Sequence, residues 1–324
     1  MSSRQGLADK TVLREVAEEL HKPARRNYIR RPTVVKGFKD LFQADLVEMQ
    51  PYAKKNLGNR YMLTAIDVFS KYAWAKPLKD KSAIMVTNAM KAILDSRNGD
   101  IFKPPRYLQT DQGKEFYNNT FKSMLEDYGI TLYSTFSNKK AAVIERFNRT
   151  LKAKMWREFS ANGSYKWIDI LDNLLEEYNH SVHRTIKMKP ADVTLEDEQD
   201  LLSIFNSIKN KRPRGNAKKF KIGDCVRISK LKGVFEKGYT ANWSAELFTI
   251  DKVLPTTPVT YQLKDFKGNR IEGSFYNEEL QKAKYCDVYL VEKIVKSRGN
   301  KCLVKWHGFP SSENTWEDRK NLKL

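Results

Sequence analysis

The sequence predicts an α/β core, one mixed five-stranded sheet with helices, followed by small all-β modules. Between residues 37 and 134, three strand-like runs follow one another, and then helix, strand, helix and strand alternate. Beyond residue 218, short alternating runs recur with turn signals between them. Charge divides the chain the same way: 9 basic and 4 acidic residues in 1–36, 25 and 22 in 37–200, 25 and 13 in 201–324, for a net charge of +20. An excess confined to the flanks of a core points to a polyanionic partner, with nucleic acid the default. A hydrophobic content of 40% over 324 residues is enough for two or three domains with real cores, which excludes a disordered protein.

The first ten residues, MSSRQGLADK, hold no apolar segment, and no run reaches the roughly 18 apolar residues of a membrane helix. Neither a secretory signal nor a membrane span is therefore expected. Cys225, Cys286 and Cys302 are scattered without a Cys-x-x-Cys pair, which predicts a reducing compartment and no zinc site.

In order along the chain, residues 8–22 place Val12, Val16 and Leu20 on one helical stripe, and the basic stretch PARRNYIRRP ends it. His21 stands alone and reads as a surface histidine. FQADLVEM, YMLTAIDVFS and YAWAKPL read as three antiparallel strands joined by short connections, and SAIMVTNAMKAILDS as a helix with Val86, Met90, Ile93 and Leu94 on one face. RYLQTD returns as a buried strand, followed by a helix over TFKSMLEDYG and a strand over ITLYST. KWIDILDNLLEEYNHSVHR sets Trp167, Ile170, Leu171, Leu174, Leu175 and Tyr178 on a core-facing helical stripe. His180 and His183 lack a third ligand nearby and read as structural. Residues 207–223 carry seven basic residues and no acid before Gly223, with Pro213 and Gly215 among them, and read as a DNA-tracking or nuclear-targeting linker.

Three acids stand out in this frame. Asp45 lies inside the first strand, Asp111 ends the apolar run YLQTD, and Glu145 lies in the first turns of the helix AAVIERFNRTLKAKMW. Convergent carboxylates are the hard oxygen ligands that Mg²⁺ accepts, and two such ions can clamp the attacking and leaving oxygens of a phosphoryl transfer. The bland alternative is three solvated surface charges. TDQGKEF, followed after 33 intervening residues by Glu145, resembles the core of retroviral-type integrases. That resemblance covers about residues 37–195 and implies an RNase H-like fold, with Asp45, Asp111 and Glu145 as catalytic residues and metal ligands. Arg149 and Lys152 would share the helix face of Glu145 and contact DNA, unless Arg149 pairs with Glu145 instead. Lys139 and Lys140, in a loop of small residues before that helix, are further phosphate candidates, as are Lys211, Arg212 and Arg214 in the linker. Asp67, on the second strand, reads as structural.

The WSAELFTIDKV string resembles the C-terminal, SH3-like DNA-binding barrel of such integrases. Residues 285–324 resemble a chromodomain, in which Tyr289, Trp306 and Phe309 match the cage for a methylated lysine and Trp316 the buried packing tryptophan. The alternative is that all four aromatics are core. The expected organisation is an N-terminal helix and basic arm (1–36), an RNase H-like core (37–200), a basic linker (201–217), the barrel (218–284) and the chromodomain (285–324), whose Asn-Thr-Trp-Glu string opens a C-terminal helix. The whole resembles integrases of Polinton/Maverick elements, without the His-His-Cys-Cys zinc domain of retroviral enzymes. It implies a nuclear, oligomeric integrase using two Mg²⁺ ions, with Mn²⁺ as a substitute. Its partners would be double-stranded DNA and a methylated histone tail. The other reading is a domesticated, catalytically idle chromatin- and DNA-binding protein.

Overall fold

The computed structural model describes residues 10–25, 27–31, 33–96, 104–134, 141–210, 218–230, 232 and 239–322. The chain divides into two compact units, residues 32–212 and residues 1–31 together with 213–324. The first helix, α1 (Lys10–His21), belongs to the second of these. Among the described residues, no helix is long and apolar enough to cross a membrane.

Residues 32–212 are built on five strands: β1 (Leu41–Glu48), β2 (Tyr61–Asp67), β3 (Ala73–Leu78), β4 (Tyr107–Thr110) and β5 (Thr131–Ser134). Their order is β3-β2-β1-β4-β5, antiparallel on the β3-β2-β1 side and parallel from β1 through β4 to β5. The helices α2 (Ala83–Leu94) and α3 (Asn119–Asp127) cover one face, where Phe42, Ala44, Leu63, Ala65 and Leu108 meet Val86, Met90, Phe121 and Leu125. The other face packs Val47, Met62 and Ile66 against α4 (Ala142–Asn162) and α5 (Ile168–Asn179). Strand side chains alternate between faces, so Gln43, Asp45 and Val47 all point to the α4 side. α4 earns its 21 residues from an apolar stripe, Ile144, Phe147, Leu151, Met155 and Phe159, and ends on Gly163 in the left-handed region at φ 62.

Two expectations are corrected here. The β1–β2 connection is not a short hairpin, because a 3-10 helix over Gln50–Lys55 fills it and Asn56 reaches from its end to accept the Trp167 and Ile168 N–H groups at the start of α5. The stretch expected from residue 201 as a linker is helical as far as Asn210. α6 (Glu198–Asn210) occupies its first part, since Leu201 and Phe205 pack with Phe69, Ile186 and Val193.

The second unit holds two sheets. The first comprises β6 (Cys225–Ile228), β7 (Phe248–Leu254), β8 (Thr260–Lys264), β9 (Phe275–Tyr276) and β10 (Leu280–Lys282), in the order β10-β6-β7-β8-β9 and antiparallel throughout. Phe220, Val226, Ile250, Tyr261, Leu263 and Leu280 form its core. The second is the antiparallel meander β11 (Val291–Arg298), β12 (Lys301–Trp306) and β13 (Thr315–Asp318). The two meet closely: Gly308, at φ 82, sits where a Cβ would come within 2.6 Å of the Ala245 Cβ, and the Phe266 ring lies 5.7 Å from that of Phe309.

α1 is part of this assembly. Val16 packs with Val288, Tyr285 and Leu290, and the Leu20 carbonyl accepts the N–H groups of Asn242 and Trp243. Glu19, 5% exposed, accepts the Lys284 N–H at 3.0 Å and lies 3.6 Å from the guanidinium of Arg227, itself 1% exposed. Part of the basic arm is pinned as well. Tyr28 donates to Glu279, and Arg30 stacks 4.4 Å above the Tyr28 ring. His21 is exposed in the last turn of α1, and its carbonyl accepts from Asn242.

Candidate active site

Asp45 sits in mid-β1, Asp111 immediately follows β4, and Glu145 lies in the first turn of α4. Because β1 and β4 are adjacent and parallel, with Gln43 paired to Gln109, the strand period carries Asp45 and Asp111 toward the same end of the same face. The helix N-terminus brings Glu145 to that end, where its charge also suits the helix dipole. Asp45 feels both of the other acids. Burial pushes the Asp45 carboxyl above its ordinary range, the Leu46 N–H and the Asn148 amide pull it back, and the negative charges of Asp111 and Glu145 add to the rise.

Local donors hold each aspartate. Asp45 Oδ1 accepts the Leu46 N–H at 2.9 Å, its Oδ2 accepts Asn148 Nδ2 at 2.9 Å, and Asp111 Oδ1 accepts the Gly113 N–H at 3.0 Å. Among the described residues, no group of three His, Cys, Asp or Glu side chains is drawn close enough to hold one metal ion. The acids thus share an electrostatic field rather than a single coordination sphere. Their donor chemistry fits a hard divalent cation, since three carboxylates offer only oxygen and a cation among them would relieve the repulsion that raises Asp45.

Other candidates fall differently. Arg149 is exposed and Lys152 partly buried on α4, and among the described residues Arg149 makes no ion pair with Glu145. Lys139, Lys140, Lys211, Arg212 and Arg214 lie outside the described residues. Asp67 is buried at the end of β2, where its carboxylate accepts from the N–H groups of Phe69 and Ser70 and from the Ser70 hydroxyl, a turn-closing role. His183 is structural in the same sense: burial, then the nearby Lys71, Arg146 and Arg184 charges, push it down to about 4. His180 caps α5 and bonds the Glu176 carbonyl.

Sequence reasoning missed Asn148 and a buried pair, Gln43 and Gln109. The signals were present. Asn148 is three residues beyond Glu145 on the helix, and Gln-x-Asp occurs twice, as Gln43-Ala44-Asp45 and Gln109-Thr110-Asp111. On a strand that spacing puts both side chains on one face.

In the second unit, Tyr289 lies 6.3 Å from Trp306 and 5.5 Å from Phe309, ring centre to ring centre and edge-on in both cases. Trp306 is 1% exposed and donates from its indole to Thr315 Oγ1, while Trp316 is 47% exposed. This reverses the expected burial of Trp316. The pleat decides it: Trp306 follows Cys302 and Val304 on the inward face of β12, whereas Trp316 pairs with Leu303 on the outward face. The expected C-terminal helix is instead β13 followed by a 3-10 turn over Arg319–Asn321. Glu292 is engaged by Lys305 at 2.9 Å.

A mixed β3-β2-β1-β4-β5 sheet, with acids on its first and fourth strands and a third on the helix after its fifth, defines an RNase H-like integrase core. Comparison with known proteins agrees. Residues 39–137 match the integrase core domain, a span that includes Asp45 and Asp111 and stops before Glu145, and residues 289–324 match the chromo (chromatin organisation modifier) domain. An uncharacterized transposon-derived protein of Caenorhabditis elegans is 33% identical over 217 residues, which is 66% of this chain and 69% of that protein. The Gag-Pol polyprotein of Koala retrovirus is 28% identical over 151 residues, 46% of this chain and 8% of the polyprotein. The simian T-cell lymphotropic virus intasome, solved by cryoEM in complex with the PP2A regulatory subunit B56 gamma, has a similar fold, with a TM-score of 0.52, 16% identity, and coverage of 86% of this chain and 92% of that one. The chain belongs to the family of transposon-derived proteins with an integrase core, and it carries a C-terminal chromodomain.

Proposed function

We propose that this chain is a DNA integrase that trims the 3′ ends of a transposable element and joins them to target DNA. The observation that carries the reading is the gathering of Asp45, Asp111 and Glu145 at one end of the sheet, close enough for two of them to raise the third. Integrase cores generally use divalent metals. Held by these three carboxylates, two Mg²⁺ ions would supply activation of the attacking oxygen and stabilisation of the leaving one, with Mn²⁺ as a substitute. The protein supplies no nucleophile of its own. Water attacks in the first reaction, and the freed 3′-hydroxyl attacks a target phosphodiester in the second. Asn148 holds Asp45 in its ionised, ligating form, while Arg149 and Lys152 face the phosphates along α4.

The basic arm, the linker with Lys211, Arg212 and Arg214, and the β6–β10 sheet bind duplex DNA through its backbone. Tyr289, Trp306 and Phe309 take a methylated histone lysine, directing integration to chromatin in the nucleus. Joining two ends requires at least two active sites, hence an oligomer. The order of helix, integrase core, small β module and chromodomain supports a Polinton/Maverick-type origin.

The test is strand transfer with the element's own terminal DNA. Asp45→Asn, Asp111→Asn and Glu145→Gln should each lower joining on the order of a hundredfold or more while DNA binding persists. Near wild-type joining by any one of them removes that residue from the site. One observation favours a second reading, a catalytically idle chromatin- and DNA-binding protein: the described acids do not form a closed ligand group. Wild-type chain that binds DNA and methylated tails, yet joins no ends in Mg²⁺ or Mn²⁺, would establish it.

A further inference from the structure

We propose that Gln43 is a positioning residue: its single buried amide ties together the three elements that carry Asp45, Asp111 and Glu145. The inference rests on the integrase reading of those acids and concerns what sets their spacing. Gln43 is 0% exposed. Its Nε2 donates to Gln109 Oε1 on β4 at 2.9 Å, and its Oε1 accepts two N–H groups of α4, from Val143 at 3.1 Å and Ile144 at 3.0 Å. Each contact lies one or two residues from an acid. Asp45 is two beyond Gln43, Asp111 two beyond Gln109, and Glu145 one beyond Ile144.

The first N–H groups of a helix have no partner within it, and a side chain at the N-cap usually supplies one. Here the N-cap is Ala141, which has no side-chain acceptor. The cap comes instead from a strand about a hundred residues earlier, so the first turn of α4 is fixed to β1. Amide orientation follows from the same geometry. Two N–H donors require the oxygen to face α4, which leaves the nitrogen to face Gln109. Gln109 Oε1 also lies 3.5 Å from the Tyr133 hydroxyl, extending the tie to β5. Asn148, one turn further along α4, bonds Asp45 directly, and Gln43 is the tie to the first turn, the one that bears Glu145. A helix's first turn is where fraying starts.

The test compares full-length wild type with Gln43→Met, which keeps length and apolar bulk and removes both polar atoms. Mn²⁺ binding without DNA is followed by loss of the free-ion electron paramagnetic resonance signal, alongside hydrogen exchange at Val143 and Ile144. The variant should need about tenfold more Mn²⁺ for half-saturation, as is usual when a group orienting metal ligands is removed. Exchange at the two amides should rise, and strand transfer should fall in kcat with KM for DNA unchanged. Gln43→Glu retains the acceptor for both amides and loses the donor to Gln109; it should keep the two amides protected, and it carries the test if Gln43→Met fails to fold. Equal half-saturation for wild type and Gln43→Met overturns the proposal whatever the joining assay reads, as does a folded Gln43→Glu variant in which exchange at Val143 and Ile144 rises above wild type. Wild type that holds Mn²⁺ but joins no DNA sinks the integrase reading and leaves the tether standing. Wild type that binds no Mn²⁺ overturns both.

Discussion

Replacing Asn148 with leucine should move the acid limb of the integration pH profile upward. Asn148 Nδ2 donates to Asp45 Oδ2 at 2.9 Å, and this bond favours the ionised carboxylate against the burial and the two neighbouring charges that oppose it. A hydrogen bond to a charged group contributes about 1.5–3 kcal/mol, so losing it should raise the Asp45 carboxyl further above its ordinary range. The sign follows from the role: Asp45 ligates only when ionised, so activity falls as pH drops through its already raised value. In Asn148→Leu the fall should begin at higher pH, with the plateau at alkaline pH largely retained. Among the described residues the buried Asn148 Oδ1 has no hydrogen-bond partner, so removing the amide leaves none of them unpaired on that side. Rates of strand transfer by wild type and Asn148→Leu from pH 5 to 9 decide the matter. An unchanged acid limb with a uniformly lower rate would refute the reasoning and make Asn148 a packing residue.

Glu19→Ala should leave the Arg227 guanidinium buried with only the Ser244 and Ala245 carbonyls for company, at a cost of about 3–5 kcal/mol read from urea unfolding of the full chain. A loss near zero would mean that those carbonyls suffice. Because His183 titrates near 4 in the folded chain against 6.5 ordinarily, the unfolded chain binds the extra proton first; stability should decline as pH falls from about 6.5 to about 4, and His183→Gln should flatten that slope. In the chromodomain, Trp306→Ala deletes a buried ring and should destabilise by about 3–5 kcal/mol, whereas Trp316→Ala should cost little. Tyr289→Ala, half-buried and spared that penalty, is the variant with which to test trimethyl-lysine peptide binding by titration; unchanged affinity would leave these aromatics as core alone.

The strands and the helices were legible because each rests on a local period, whereas the three acids were singled out by the resemblance of TDQGKEF and AAVIERFNRTLK to retroviral-type integrases. Period two on YLQTD and FQADLVEM, and 3.6 along Ile144, Phe147 and Leu151, need no distant information. Even the repeated Gln-x-Asp was on the page, as an unread sign that a glutamine shares the face of each aspartate. Other features came only from tertiary structure. Trp306 and Trp316 are both strand tryptophans, and which one is buried depends on the register of β12 against β13, where one residue of slip exchanges the faces. α6 carries helix into the stretch expected as linker because Leu201 and Phe205 find Phe69 and Ile186. α1 is an amphipathic stripe whose apolar partners lie in a module more than 200 residues away. Its one buried acid has meaning only opposite Arg227. Gln43 is the sharpest case. A glutamine in a strand reads as one more polar residue until the fold brings an uncapped helix to its oxygen, because backbone N–H groups buried at a helix start must be satisfied by whatever the tertiary arrangement places there.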